Sequence, residues 1–426
     1  MQIESERLAN GLRLVVVRMP HLHSVEMVCY VGVGGRNETR PTAGISHFVE
    51  HMLFRGCDGY PDSITLERAF EDIGGGANAT TDVETTCYFS RLHPERLEEG
   101  ARLFAALLRT PYWREMETER RIILEEARED WNEQGEIINP DTLTNALLWP
   151  GTALGQPLIG TAESLQALAS ADLRGHHARY YAPANVVIVL AGRVEPDRAL
   201  AAVDRAFGDW RVAGPDFTKV SLPTMQGPAS VWVRDSASQI NVQFALRLPW
   251  GREGSGAFPL RIWRRILSWG GGSRLMLRLR EELGLTYHVE AALHLLADTG
   301  TLTIDLALQP DNLVRGVSEV LLQLRRMVEE PPAVDELARA VRNFRYDLDY
   351  SRDIPEEMAV RYGWGELVGY RRSIEQDLAA AEALTPAMMR QVAEEVVRSD
   401  RLALAVVGPW RPEQREAVER LLRQPF

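Results

Sequence analysis

The chain has 426 residues, 45% of them hydrophobic and 25% charged, with a formal net charge of -12. That length suits two or three globular domains, each large enough for its own core. The acidic balance argues against a nucleic-acid binder, which would show a basic patch. Three cysteines, Cys29, Cys57 and Cys87, stand without CxxC spacing. They read as reduced thiols and exclude a disulfide framework or a cysteine zinc site.

Taken in chain order, the first residues carry Glu4, Glu6 and Arg7 where a signal peptide would need an apolar run. The longest apolar stretch, residues 186–191, is far too short to span a bilayer. A cytoplasmic protein with no membrane partner is expected. Strands are predicted at residues 14–17 and 25–33, where apolar residues run or alternate.

Next comes GISHFVEHMLF, residues 44–54. Ser46 is expected to cap a helix that starts there. On such a helix His47 and His51 stand four apart and share a face, and Glu50 lies on the same side. Two neutral imidazoles meet the borderline-soft preference of zinc, and the neighbouring carboxylate can act as a base towards water. The pattern is HxxEH, the reverse of HExxH. The plain alternative is a helix that happens to carry two histidines.

Residues 115–134 lack proline and glycine and are predicted helical. A third metal ligand is needed, and this segment offers Glu117, Glu119, Glu125, Glu126, Glu129 and Glu133. An acidic run is ordinarily a solvated face. Glu119 and Glu126, seven apart, share one side, but spacing does not separate them from Glu125 and Glu129.

A repeat organises the whole. Leu168 and Leu384, Leu173 and Met389, and Gly192 and Gly408 are each separated by 216 residues. Each set traces a helix-like segment and then an apolar strand that ends at glycine. Strand patterns at residues 230–233 and 240–248 answer those of the first half. Residues 210–229, with three prolines and two glycines, read as a linker. Two domains are expected, 1–214 and 215–426. A second long helix is predicted at residues 335–350. Trp263 and Trp269 read as core residues in preference to the lining of a substrate chamber.

Taken together, the motifs resemble the pitrilysin/insulinase family of zinc peptidases, in the branch of the mitochondrial processing peptidase. The likeness covers essentially the whole chain. LANGL at residues 8–12 is similar to the family's opening strand. HFVEH at 47–51 matches its metal motif, and ERRIILEE at 119–126 its carboxylate helix. The resemblance makes Glu126 the third ligand and Glu119 a supporting acid. GGGANATT at 74–81, followed by Thr86 and Tyr88, resembles the substrate-binding edge strand, with Asn78 and Ala79 in contact with peptide. GGGSRL at 270–275 and REELGLTY at 280–287 resemble the segment whose Arg and Tyr, here Arg280 and Tyr287, contact substrate and stabilise the transition state.

The resemblance implies an α+β fold of two homologous α/β-sandwich repeats, each a mostly antiparallel sheet covered by helices. It implies a zinc metalloendopeptidase that cleaves peptides or unfolded segments in an enclosed chamber, with Glu50 as base. A spacing of 214 residues places His47, Glu50 and His51 opposite Arg261, Arg264 and Arg265, so one Zn2+ per chain is expected. Because one chain carries both the metal motif and the Arg/Tyr segment, a homodimer follows, or a heterodimer with a related chain. The competing reading is a non-catalytic partner or scaffold subunit.

Overall fold

In the computed structural model, residues 2–217 and 222–424 are described. Six strands build the first sheet: β1 (Gln2–Arg7), β2 (Arg13–Arg18), β3 (Val25–Val31), β4 (Asn78–Thr81), β5 (Thr86–Leu92) and β6 (Val186–Gly192). Their order is β1-β2-β6-β3-β5-β4, antiparallel except for the β2–β6 pair. Five strands build the second: β7 (Ala229–Val233), β8 (Ile240–Arg247), β9 (Val289–Leu295), β10 (Gly300–Leu308) and β11 (Leu402–Val407). Their order is β7-β11-β8-β10-β9, again with one parallel pair, β7–β11. The expected α+β class and mostly antiparallel sheets are found. No helix among the described residues is long and apolar enough to cross a membrane.

The strand sequences report how many faces are covered. β3 (VEMVCYV) and β6 (VVIVLAG) are buried at every position, and apart from Glu26 they read as continuous apolar runs rather than alternating ones. Val25, Met27, Cys29 and Val31 point into the main core of the first unit, with Phe48, Leu103, Phe104 and Leu107 from its helices. The opposite face of β3 and β6 is covered by the helical stretch from Pro355 to Leu367. Contact there is close enough to require a glycine. A Cβ on Gly363 would lie 1.9 Å from Val189 Cγ2.

That covering stretch corrects the expected division at residue 214. The chain folds into two compact units, but each takes a piece from the other half of the sequence. The first comprises Met1–Ala127, Gln156–Ser221 and Asp349–Arg372; the second Arg128–Gly155, Leu222–Leu348 and Ser373–Phe426. In the second unit the borrowed helix is Pro140–Leu148, which packs on β7, β8 and β11. Its Thr144 donates to Gln243 Oε1. Gln243 Nε2 in turn donates to Asp141 and Asp305, 2.7 Å from each. Each sheet has a second apolar face to bury, and a helix supplied from the other half does it. The predicted linker has no regular structure in its described part up to Pro228, β7 begins at its last residue, Ala229, and residues 218–221 of it lie outside the described residues.

Most predicted elements fall where expected; one helix is shorter than foreseen, and one residue assigned to the core is not buried. The helix foreseen at 115–134 runs only over Met116–Glu126, followed by a 3-10 turn at Ala127–Asp130. Beyond it, Asn132 accepts from the backbone N–H groups of Gln134 and Glu136, and Gly135 takes φ 77°. An asparagine-anchored turn therefore replaces the last helical turn. Trp263 is fully buried, but Trp269 is 48% exposed, which corrects its assignment to the core.

One buried charge in the first unit carries a stability prediction. Glu26 on β3 is 3% exposed, 3.7 Å from Arg91, whose guanidinium also bonds Glu356. Burial, aided by the charge of Glu356, pushes the Glu26 carboxyl up to about 7 against the pull of Arg91. The folded state thus holds this proton more tightly than the unfolded chain does. The penalty is absent below the unfolded pKa, grows as pH rises towards 7, and is complete above it. Glu26→Gln should therefore stabilise the protein at pH 8, by at most about 3 kcal/mol, and have little effect at pH 4. Urea denaturation of both chains at the two pH values checks this. An equal difference at both would remove Glu26 as the source.

Candidate metal centre

The HxxEH segment forms the helix Ile45–Leu53. Ser46 is not its cap: the N-cap is Gly44, at φ 85°, with no side-chain hydrogen bond of its own. The free N–H groups of the first turn are taken by Glu38, whose carboxylate accepts from Gly44 N at 2.8 Å and Ser46 N at 2.9 Å. Glu38 is 8% exposed, and burial lifts its carboxyl to about 7. Two backbone donors at a helix start are a good setting for a carboxylate. Ser46 instead directs its hydroxyl to His176 Nε2, 3.1 Å away.

On this helix His47 and His51 stack edge to face, with ring centroids 4.6 Å apart. Glu126, the last residue of helix Met116–Glu126, reaches both: its two oxygens lie 3.7 Å from His47 Nε2 and 3.7 Å from His51 Nε2. One ligand atom from each of the three residues falls within 4.8 Å of the others. Burial, with the neighbouring His51, pushes His47 down to about 4, so at neutral pH it is an uncharged imidazole with a lone pair to give.

His51 is set differently. Its Nδ1 is 3.0 Å from Glu119 Oε2. Burial pulls its pKa down, but the hydrogen bond and charge of Glu119, with the charges of Glu50 and Glu126, outweigh that and leave it raised. Glu119 is likewise driven up by burial and brought lower overall by His51 and Arg55. Arg55 Nε donates to the other oxygen of Glu119, and Arg55 Nη1 reaches Glu115 at 3.2 Å. The chain Arg55–Glu119–His51 orients the ring with Nε2 towards Glu126, the arrangement in which a second partner sets the tautomer of a metal-binding histidine.

The donor set fits zinc. Zinc bonds of about 2.0–2.2 Å to nitrogen and oxygen in a tetrahedron place ligand atoms about 3.4 Å apart, close to the 3.7 Å separations found. His47 Nδ1 is buried with no hydrogen-bond partner among the described residues, so that ring has no competing role on its far side.

Glu50 is 8% exposed and does not join this group; Thr81 at the end of β4 donates its hydroxyl to Glu50 Oε2. Burial raises the Glu50 carboxyl, with Thr81 and His51 opposing the rise. Glu50, His51 and Glu119 line a cleft of about 620 Å³ whose wall includes Phe54, Asn78 and Ala79. β4 is the edge of its sheet, paired on one side with β5. Among the described residues no strand pairs with its other side. Arg280 and Tyr287 belong to the second compact unit. There the Arg280 guanidinium lies 4.8 Å over the Tyr287 ring, and Tyr287 is 82% exposed.

Three supporting residues were not foreseen. Arg55 had a readable signal, since it stands four after His51, just past the end of the same helix. Glu38 and Thr81 had none, because both reach the helix through the tertiary fold.

Two-sheet chains of this kind, with an HxxEH helix and a distal carboxylate drawn to one point, define a class of metallopeptidase-like proteins. This chain belongs to peptidase family M16, the insulinase family. The Insulinase (Peptidase family M16) model matches residues 13–162, and the model of the Peptidase M16 inactive domain matches residues 167–344. An uncharacterized zinc protease of Mycobacterium tuberculosis is 31% identical over 412 residues, covering 94% of this chain and 92% of that one. The uncharacterized zinc protease YmxG of Bacillus subtilis is 27% identical, covering 94% and 97%. The same fold occurs in a protease from Helicobacter pylori, with TM-score 0.88 at 19% identity over 96% of this chain and 99% of that one. It also occurs in a peptidase M16 inactive domain from Pseudomonas fluorescens, with TM-score 0.84 at 20% identity over 97% and 100%.

Proposed function

We propose that the chain is a zinc metalloendopeptidase with one zinc held by His47, His51 and Glu126. The observation that carries this reading is the convergence of those three side chains within 4.8 Å, beside a buried carboxylate and an open strand edge. Zinc, when bound, supplies Lewis acidity towards an attacking water and a scissile carbonyl.

The remaining work belongs to the protein. Glu50 takes the proton of the attacking water at the carboxylate oxygen that Thr81 leaves free, and passes it to the leaving amine. Its raised pKa suits a group that must both accept and give a proton near neutrality. Glu119 holds the His51 Nδ1–H and so presents Nε2. An extended peptide pairs with β4 at Asn78 and Ala79, and main-chain bonds make that binding tolerant of sequence. The three free cysteines suit a reducing compartment, the cytoplasm.

The test is zinc content together with cleavage of a quenched fluorogenic peptide, with and without chelator. Zinc with chelator-sensitive cleavage is expected. Zinc without cleavage would mean a storage or sensor protein, and neither would mean a partner subunit.

Arg280 and Tyr287 would donate hydrogen bonds to the carbonyl oxygen as negative charge develops. We propose that a second copy supplies them, in a two-fold homodimer, the commonest closed symmetry; a heterodimer with a related chain is the alternative. Mixing Glu50→Gln and Tyr287→Phe chains, each nearly inactive alone, should restore one working site in every mixed dimer. Absence of recovery despite proven subunit exchange would overturn the shared site.

A further inference from the structure

The metal helix of the first repeat has a counterpart in the second unit. The spacing of 214 residues carries His51 onto Arg265, and also carries Gly56 onto Gly270. Both glycines follow the equivalent helices, Ile45–Leu53 and Ala257–Ser268, and both have positive φ, 109° and 79°. Where the first unit turns the His51 imidazole towards a neighbouring helix, the second therefore turns a guanidinium.

A pocket of about 330 Å³ opens at this point, between the turn at Trp269 to Gly272 and the helix Val334–Ser351. Arg265 forms part of its wall with its side chain only 9% exposed. Trp269 and Phe344 flank the guanidinium, with ring centroids 4.5 and 5.2 Å away, and one nitrogen, Nη2, pairs with Asp347. The other, Nη1, is buried with no hydrogen-bond partner among the described residues. Protein interiors rarely leave a charged donor in that state.

A second cation stands on the wall. Arg339, from the facing helix, is exposed and makes no hydrogen bond or ion pair among the described residues. Asn343, one turn further on, adds an amide to the same pocket. Glu336 is the acid of the lining, and it is held by Arg274 through bonds of 2.9 and 2.7 Å. A Cβ at Gly270, Gly271 or Gly272 would meet nothing within 4 Å, so the rim at that turn is open.

We propose that this pocket, built from Arg265, Arg339 and Asn343, is an oxyanion site that takes a phosphate or carboxylate group. Two guanidinium groups and an amide match the several oxygens of such a group, since each guanidinium offers donors in a fixed planar fork. The volume is at the small end of ligand pockets and suits one group rather than a length of peptide. The site is separate from the proposed zinc ligands in sequence and in compact unit, and it stands whether or not the chain cleaves peptides.

Calorimetric titration of the full chain with inorganic phosphate and with N-acetylglycine, at low ionic strength, tests the assignment. Saturable binding of at least one of them is expected, weakened by added sodium chloride. Tighter phosphate binding would identify a phosphate-bearing ligand; tighter N-acetylglycine binding would identify a carboxylate such as a peptide terminus. Arg339→Ala should weaken binding about tenfold, as for loss of one charge-assisted contact. Arg265→Met should abolish it. Arg339 is exposed, so its replacement leaves the fold intact and decides the matter even if Arg265→Met does not fold. Failure of both probes to saturate the parent chain, or unchanged affinity in Arg339→Ala, would show Arg265 to be a packing residue only and overturn the proposal.

Discussion

Glu50→Gln should lower kcat by about a thousandfold while leaving zinc content and KM near those of the parent. The substitution keeps the shape of the side chain and removes its ability to accept a proton, and general acid–base catalysis is worth about 10²–10⁴-fold. Glu50 is outside the group of three ligand atoms, which is why metal content should hold. Stability should hold as well, or improve at neutral pH. Burial raises the Glu50 carboxyl, so its charged form is disfavoured in the folded state, and a neutral amide escapes that penalty. Thermal denaturation alongside the kinetics therefore separates a chemical loss from an unfolded enzyme. Cleavage at the parent rate would remove Glu50 as the base, and loss of zinc in parallel with activity would make it a ligand.

The parts of this site that could be read from the sequence are those governed by local periodicity. His47, Glu50 and His51 fall within five residues of one helix, and helical spacing alone puts them on one side. Glu126 is different. Its helix carries several carboxylates, and what selects it is the contact of that helix with another, which periodicity does not encode. The resemblance to a family supplied the register, and the structure brings Glu126, of that run, to both imidazoles, while Glu119 meets only the Nδ1 side of His51.

The errors have the same origin. Ser46 has the right chemistry for an N-cap, but Glu38, eight residues upstream, fills that role through the fold of the intervening loop. The helices Pro140–Leu148 and Pro355–Ala359 look ordinary in sequence, and nothing in their pattern says which sheet each will cover. Apart from Glu26, strands β3 and β6 are apolar throughout, the pattern of a sheet buried on both faces. They could not say which segment would do it.

The register of the third ligand has its own sharp test, because Glu125 and Glu126 are adjacent, both exposed, and chemically identical. Glu126→Gln should reduce zinc affinity by at least about 10–100-fold, the range typical even for partners one step removed from a metal. The amide oxygen is a weaker donor and carries no charge to balance the cation. Glu125→Gln should leave affinity unchanged, since the oxygens that lie 3.7 Å from the two imidazoles belong to Glu126. Thermal denaturation with and without added zinc reads this independently of catalysis. A metal that binds only the folded chain raises its melting temperature, and by more the tighter it binds at a given concentration. The zinc-induced shift should persist in Glu125→Gln and shrink or vanish in Glu126→Gln. Equal shifts in the two variants would mean that the third ligand is another member of the acidic run, and the family register would have to move with it.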